Sequence, residues 1–180
     1  MQRDKLLQLL ENYNPTDSAE IEFKNRTLAF IKKYEDCFER TLLIGHVTGS
    51  AWILNKTEDK ALLLHHTKLD RWFQLGGHCD GDSDVCAVAL KEAQEESGIN
   101  GINVMNPEIF DIDIHTIPAR PGEPEHDHYD IRFLLKVVSD EQLVQNRESK
   151  ELRWISKNPE ELPTDARSVT RMFEKWINNN

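Results

Sequence analysis

"GGHCDGDSDVCAVALKEAQEESGI", residues 76–99, opens on two glycines and ends with three glutamates in five residues. On a helix, Glu95 and Glu96 follow Glu92 by three and four positions, so the three carboxylates share one face. Cys86, Leu90 and Ala93 fall on another face, suited to packing on a sheet. Asp82 or Ser83 stands where a helix is capped, and Gly98 where one ends. The spacing predicts a helix over 84–97. Just before it, "RWFQLGG" (71–77) reads as a short strand running into a glycine turn. The unit is strand, loop, helix, with backbone that a ligand can approach closely.

Like charges on one face repel each other. No cation stands four residues after any of the three glutamates, and Lys91, adjacent to Glu92, points to another side. Two readings follow. One is a solvated acidic stripe. The other is a site for a hard divalent cation such as Mg²⁺, which takes a few carboxylates together with waters and substrate phosphates.

Working outward, residues 3–12 read as a short helix, broken at Asn14 and Pro15. "TDSAEIEFKNRTLAFIKKYEDCFE" reads as a longer amphipathic helix, capped by Thr16, Asp17 or Ser18, with Ile21, Leu28, Ile31 and Tyr34 near helical spacing. Residues 1–38 are therefore expected to form a helical extension, followed by one domain over 39–180. In that domain "LLIGHVTGSAWILN", "ALLLHHTK", "INVMNPEIFDIDIHTI", "HYDIRFLLKVV" and "ELRWIS" are strand-like, and "PARPGEPEHD" (118–127) is a loop. "TDARSVTRMFEKWINN" is a closing helix with Val169, Met172, Phe173 and Trp176 on one face. This order predicts an α/β (α+β) sandwich, with helices covering a mixed sheet.

The net charge of −10 argues against a nucleic-acid polymer or an anionic membrane surface as partner. An anionic small molecule stays open, because a bound cation reverses the local field. Cys37, Cys79 and Cys86 form no C-x-x-C pair and suggest no disulfide framework. The first residues lack a secretory pattern, and no apolar run reaches membrane-span length. The expected location is cytoplasmic.

At the level of spacing, residues 77–99 resemble the signature of the Nudix hydrolase family, G-x5-E-x7-R-E-U-x-E-E-x-G-U, where U is aliphatic. Gly77 fills the first glycine. Glu92, Ala93, Glu95, Glu96, Gly98 and Ile99 fill E-U-x-E-E-x-G-U. Ser83 and Lys91 depart from it, at the two positions that often form an ion pair supporting the loop in that family. Asp82 or Asp84 is a candidate stand-in. "ELRWISKNPEELP" (151–163) and "HYDIRFLLKVV" (128–138) also resemble later Nudix strands, so the similarity spans about residues 39–178.

The resemblance implies a Nudix-like α/β/α sandwich. It also implies hydrolysis of a nucleoside diphosphate linked to another group, X. Glu92, Glu95 and Glu96 would hold Mg²⁺, with Mn²⁺ as a substitute, and the Gly77 carbonyl would add a backbone ligand. Glu95 and Glu96 are the first catalytic candidates. Many relatives are dimers, so a homodimer is an open expectation. Two alternatives stand beside hydrolysis: a nucleotide-sensing module without turnover, and diphosphate isomerisation, which needs a catalytic cysteine such as Cys79 and a histidine-rich metal site.

A second stretch, "IHTIPARPGEPEHDHYDIRF" (114–133), concentrates His115, His126 and His128 with Glu123, Glu125, Asp127 and Asp130. His126 and His128 are two apart and face the same way if extended, and Asp130 continues that face. Glu125 or Glu123 is a candidate general base. His126, His128, Arg120 and Arg132 are candidate phosphate contacts. Imidazole with carboxylate also suits Zn²⁺ or Mn²⁺, and a plain polar loop is the third reading. His78, next to Gly77, is a further candidate. Of His65 and His66, one is expected in the core and one outside. Trp72 and Phe73 are expected to pack the core.

Overall fold

The structure is a computed structural model, and it describes residues 2–178. Two helices come first, α1 (Asp4–Asn12) and α2 (Ser18–Lys33). Four strands follow: β1 (Gly45–Leu54), β2 (Lys60–His66), β3 (Trp72–Phe73) and β4 (Leu75–His78). Helix α3 (Val85–Ser97) leads to β5 (Ile102–Ile117), β6 (His126–Val137) and β7 (Ser149–Ser156). A 3₁₀ turn at Pro159–Glu161 precedes the last helix, α4 (Arg167–Asn178).

The sheet is mixed, as predicted. Its main path runs β3-β2-β1-β6-β5, with β4 paired to β1 and β7 to β2. β1 and β6 are parallel, in register from Gly45↔Asp127 to Leu54↔Lys136. The other pairings are antiparallel. Every residue of β1 is buried, because a central strand covered on both faces has no solvent side.

The alternation of β1 divides the molecule into layers. Val47, Ala51 and Ile53 face a core built with α1, α2 and α3, including Leu6, Leu10, Phe30, Ile31, Val88 and Ala89. Gly49 lets α3 approach: a Cβ there would lie 2.7 Å from the Val85 carbonyl oxygen. Trp52 and Leu54 face the other way, against Val169, Met172, Phe173 and Trp176 of α4. The result is helices on both faces of one sheet.

On the α4 face the sheet also buries ions. Arg132 Nε donates to Asp130 at 2.7 Å, while its terminal nitrogens reach Asp111 at 3.0 Å, Asp113 at 3.3 Å and the Ser168 carbonyl at 2.8 Å. Arg171 donates to both Asp111 oxygens at 2.8 Å. Lys175 reaches Asp111 at 2.8 Å and Glu20 of α2 at 2.5 Å. These cations hold the Asp113 carboxyl far below the usual range against its burial, and Asp111 likewise. The network fastens both α2 and α4 to β5 and β6.

Several boundaries differ from the sequence expectation. The second helix stops at Lys33, because Tyr34 is extended. The chain then turns so that the Cys37 carbonyl accepts Val47 N–H at 2.8 Å. Asp17 provides the cap, accepting from Ala19 and Glu20 N–H, but Ile21 is 44% exposed and faces solvent. "RWFQLGG" divides into β3 and β4, which pair with β2 and β1 respectively. His126 and Asp127 belong to β6, not to the loop. The last helix starts at Arg167, after a turn in which Thr164 Oγ1 accepts from Ala166 N–H. Asn179, the last residue expected in that helix, lies outside the described residues.

Candidate active site

Helix α3 carries the three glutamates, as the spacing predicted. Asp84 caps it, accepting from Ala87 N–H, and Gly98 ends it in the left-handed conformation with φ 74°, a geometry that glycine adopts without penalty. The three side chains do not share one environment. Glu96 is buried and accepts the Gly76 N–H at 2.8 Å. Glu92 is half-buried against Gly77, where a Cβ would fall 2.6 Å from its Oε2. Only glycine leaves that carboxylate its place. Glu95 is exposed and lies 3.7 Å from Lys91. Lys91 therefore pairs within the box, from four residues before Glu95, a direction the sequence reading did not count.

The electrostatics record an anionic cluster in want of a cation. Burial pushes the Glu96 carboxyl up to about 8, opposed by the Gly76 N–H and reinforced by Glu92, Glu148 and Glu95. Burial, then Glu95, raises Glu92 as well. Hard carboxylate oxygens that lose their charge for lack of a partner suit a divalent cation, and Nudix hydrolases generally use one. Oxygen donors suit the divalent metal that the resemblance implies, and Glu92, Glu95 and Glu96 are the candidates to hold it, though among the described residues their carboxylates do not converge to within 4.8 Å of one another. Glu148, from the exposed segment before β7, raises both Glu92 and Glu96. Sequence reasoning missed it, since one acid in "NRESKE" gives no signal.

The loop, with Ser83 and Lys91 where the family often has an ion pair, is supported from the N-terminal segment. Lys5 of α1 pairs with Asp84 at 2.6 Å. Arg40 forms a bidentate pair with Asp80. Gly81 N–H donates to the Phe38 carbonyl at 3.0 Å. Asp82 accepts from Asp84 N–H at 2.9 Å. Asp84 is thus the candidate stand-in that makes a charged contact, with a lysine 79 residues away as its partner.

The second stretch resolves into different roles. Arg132 is buried, and the network above engages its guanidinium, so it is a structural residue and not a phosphate contact. Arg120 and Glu125 are exposed. Arg120 closes the loop through backbone bonds to Glu123, and its charge reaches His66 at the end of β2. Glu125 makes no hydrogen bond or ion pair with any described residue.

His126 and His128 instead join a histidine row across the strands. The register sets His115 opposite His128 and His128 opposite His46. His78 on β4 lies opposite Thr48, two residues from His46 on the same face. Ring centroids are 4.7 Å apart for His46 and His128, and 5.1 Å for His46 with His78 and with His126. Burial leads the lowering of His46 to about 4 and of His128 to about 2, and it lowers His78 too. The Leu42 backbone opposes part of the shift at His46. His46 and His128 are therefore neutral at pH 7. Neither His65 nor His66 is a core residue; both are half-buried, with His65 3.0 Å from Asp70.

All three cysteines are buried, and burial raises each thiol, Cys37 and Cys86 to about 11 and Cys79 further. Cys79 is no nucleophile in this state, which removes the support it offered to isomerisation. Trp72 packs at the edge of the α4-side core, stacked on His65 and under Arg153. A surface groove of about 720 Å³ runs between Pro159–Asp165 and α4 and includes no box residue.

A family model described as the NUDIX domain matches residues 46–176. A crystallised hydrolase of the NUDIX family from Clostridium perfringens is 27% identical, with a TM-score of 0.55 over 73% of this chain and 96% of that one. A C. elegans Ap4A hydrolase in a binary complex is 16% identical, with a TM-score of 0.58 over 73% and 94%. An ADP-ribose pyrophosphatase from Streptococcus suis is 19% identical, with a TM-score of 0.51 over 74% and 93%. The last two share the fold. No curated protein matches the chain. With the family model spanning most of its length and the box carboxylates placed on α3 beside β4, the chain belongs to the Nudix family of pyrophosphohydrolases.

Proposed function

We propose that the protein is a Mg²⁺-dependent hydrolase of a nucleoside diphosphate linked to X, with Mn²⁺ as a substitute ion. X is a sugar, a ribose or further phosphate, which covers nucleotide sugars, ADP-ribose and nucleoside triphosphates. The observation that carries this reading is Glu96, a buried carboxylate fixed by Gly76 N–H, beside Glu92 on Gly77. Net charge −10 and a diphosphate repel each other unless a cation stands between them. When bound, such a cation supplies Lewis-acid charge to the phosphate oxygens.

The chain's own residues then position the parts. Glu92, Glu95 and Glu96 form the polyanionic wall, and Gly77 leaves room for Glu92. Water attacks one phosphorus, the bridging P–O bond breaks, and the water's proton passes to a carboxylate. The candidate acceptors are a box glutamate or an acid near the box, and Glu148, whose charge reaches Glu92 and Glu96, joins Glu125 among them. Arg120 remains the candidate phosphate contact on the loop.

The reading carries a cytoplasmic location and a small-molecule partner, with neither nucleic acid nor membrane. No described helix is long and apolar enough to cross a membrane. A panel of nucleoside diphosphate compounds, incubated with Mg²⁺, Mn²⁺ or chelator and read by phosphate release after a coupling phosphatase, tests it. Metal-dependent turnover of one class names X. Nucleotide-dependent thermal stabilisation with no turnover of any compound would replace the hydrolase by the sensing reading.

A further inference from the structure

We infer that His46, His78 and His128, with His126 beside them, form a second metal site, selective for a borderline cation of the Zn²⁺ class and separate from the carboxylate box. One ring nitrogen from each of the three lies within 4.8 Å of the others. They come from three strands, β1, β4 and β6, whose register brings them together on one face.

His46 is the central observation. It is 1% exposed, and neither ring nitrogen makes a hydrogen bond of good distance and angle with a described residue; the Leu42 backbone is the polar group whose pull reaches the ring. A buried imidazole without partners costs about 1–3 kcal/mol relative to a satisfied one. An aliphatic side chain would fill the space without that cost. A cation that accepts a nitrogen lone pair removes it.

His126 supplies a second, independent observation. Its Nδ1 lies 2.8 Å from the Pro124 carbonyl, which only accepts, so Nδ1 carries the proton. Its Nε2 then carries the lone pair and meets His128 Nε2 at 3.3 Å, a contact that a hydrogen bond between the rings or a cation shared by them satisfies. Ligands about 2.0–2.1 Å from a tetrahedral zinc stand about 3.3–3.4 Å apart. A backbone carbonyl fixing the remote nitrogen is the usual support of a metal-binding histidine.

The surroundings agree. Arg40, the nearby cation whose charge reaches His46 and His78, is paired with Asp80. Glu123 lies 3.7 Å from His126 Nε2 and is the nearest carboxylate oxygen paired with the cluster from the covering loop. Imidazole nitrogens select Zn²⁺-class ions, whereas carboxylates suit Mg²⁺. The two sites meet at β4, where Gly77 faces Glu92 and His78 faces the histidines. Ligand type alone therefore distinguishes them.

Co²⁺ is the probe, since nitrogen-bound Co²⁺ absorbs in the visible. The full chain is dialysed against Co²⁺ in excess Mg²⁺. The expected result is one retained Co²⁺ with visible bands. His46→Gln and His128→Gln each lower its affinity at least about tenfold, and Glu92→Gln with Glu96→Gln leaves it in place. His78→Gln, at a half-buried position, gives the same reading if the His46 variant does not fold. Failure to retain Co²⁺ against Mg²⁺ overturns the proposal. So does retention that survives the histidine changes or disappears with the glutamate changes. Since the assay needs no turnover, its failure leaves the hydrolase reading untouched.

Discussion

Replacing Glu96 by Gln tests the electrostatics of the box without changing its shape. The folded protein keeps a proton on Glu96 up to about pH 8, whereas an ordinary glutamate releases it near 4.5. Stability of the metal-free protein therefore falls as pH rises between those values, because the native state binds the extra proton. At pH 7 the span from 4.5 amounts to about 3 kcal/mol of lost stability. Gln has no charge to lose and can still accept the Gly76 N–H. Its amide N–H₂ lacks a partner there, at a cost of about 1 kcal/mol. The net gain is about 2 kcal/mol, or about 4–8 °C in melting temperature for a chain of this size. The assay is thermal unfolding in chelator from pH 4.5 to 8, with wild type and Glu96→Gln side by side. The variant should be the less stable by about 1 kcal/mol at the acid end, and the two curves should cross as pH rises, leaving the variant the more stable at pH 7. Added Mg²⁺ should raise the wild-type melting temperature more than that of the variant. Parallel curves, or a variant less stable than wild type at pH 7 in chelator, would refute the reasoning.

Other predictions follow from single contacts. Gly77→Ala places a methyl group against Glu92 Oε2; turnover should fall about 100-fold, the order expected for a misplacement of about 1 Å, with an unchanged circular dichroism spectrum. Arg132→Ala leaves Asp111, Asp113 and Asp130 short of a cation, and chemical denaturation should show a loss of about 3–5 kcal/mol. Because Asp111 and Asp113 are held below the usual range, their contribution is present above pH 4 and is lost as pH falls toward their native values, which acid titration of the wild type should reveal. A thiol reagent at pH 7.5 should label none of the three cysteines until denaturant is added.

The parts of this fold that were legible in the sequence are those with a strong local signal. The helix carrying the glutamates, its glycine end and the central strand before it follow from spacing and turn chemistry. β4 was legible only as the end of a longer strand, because the split from β3 depends on which neighbour each piece pairs with. Arg132 looked like a phosphate contact because a strand arginine gives no hint that three aspartates surround it. His126 was assigned to a proline-rich loop, yet parallel pairing with β1 extends β6 to include it. His46 was passed over, since a lone histidine in an apolar strand has no local signature. Its meaning arises only when β1, β4 and β6 are laid side by side. Lys5 and Asp84 likewise meet through tertiary packing, so the substitute for the missing loop ion pair was invisible along the chain.

The central claim is that the α3 carboxylates are the catalytic centre. The most direct test is the initial rate of Glu95→Gln and Glu96→Gln against wild type, on a compound the wild type turns over, with Mg²⁺ and with chelator. The account predicts a folded protein whose rate falls by about 100-fold or more in each variant, a loss typical of removed charge stabilisation, and a wild-type rate abolished by chelator. Wild-type rates in both variants, or turnover indifferent to chelator, would contradict it.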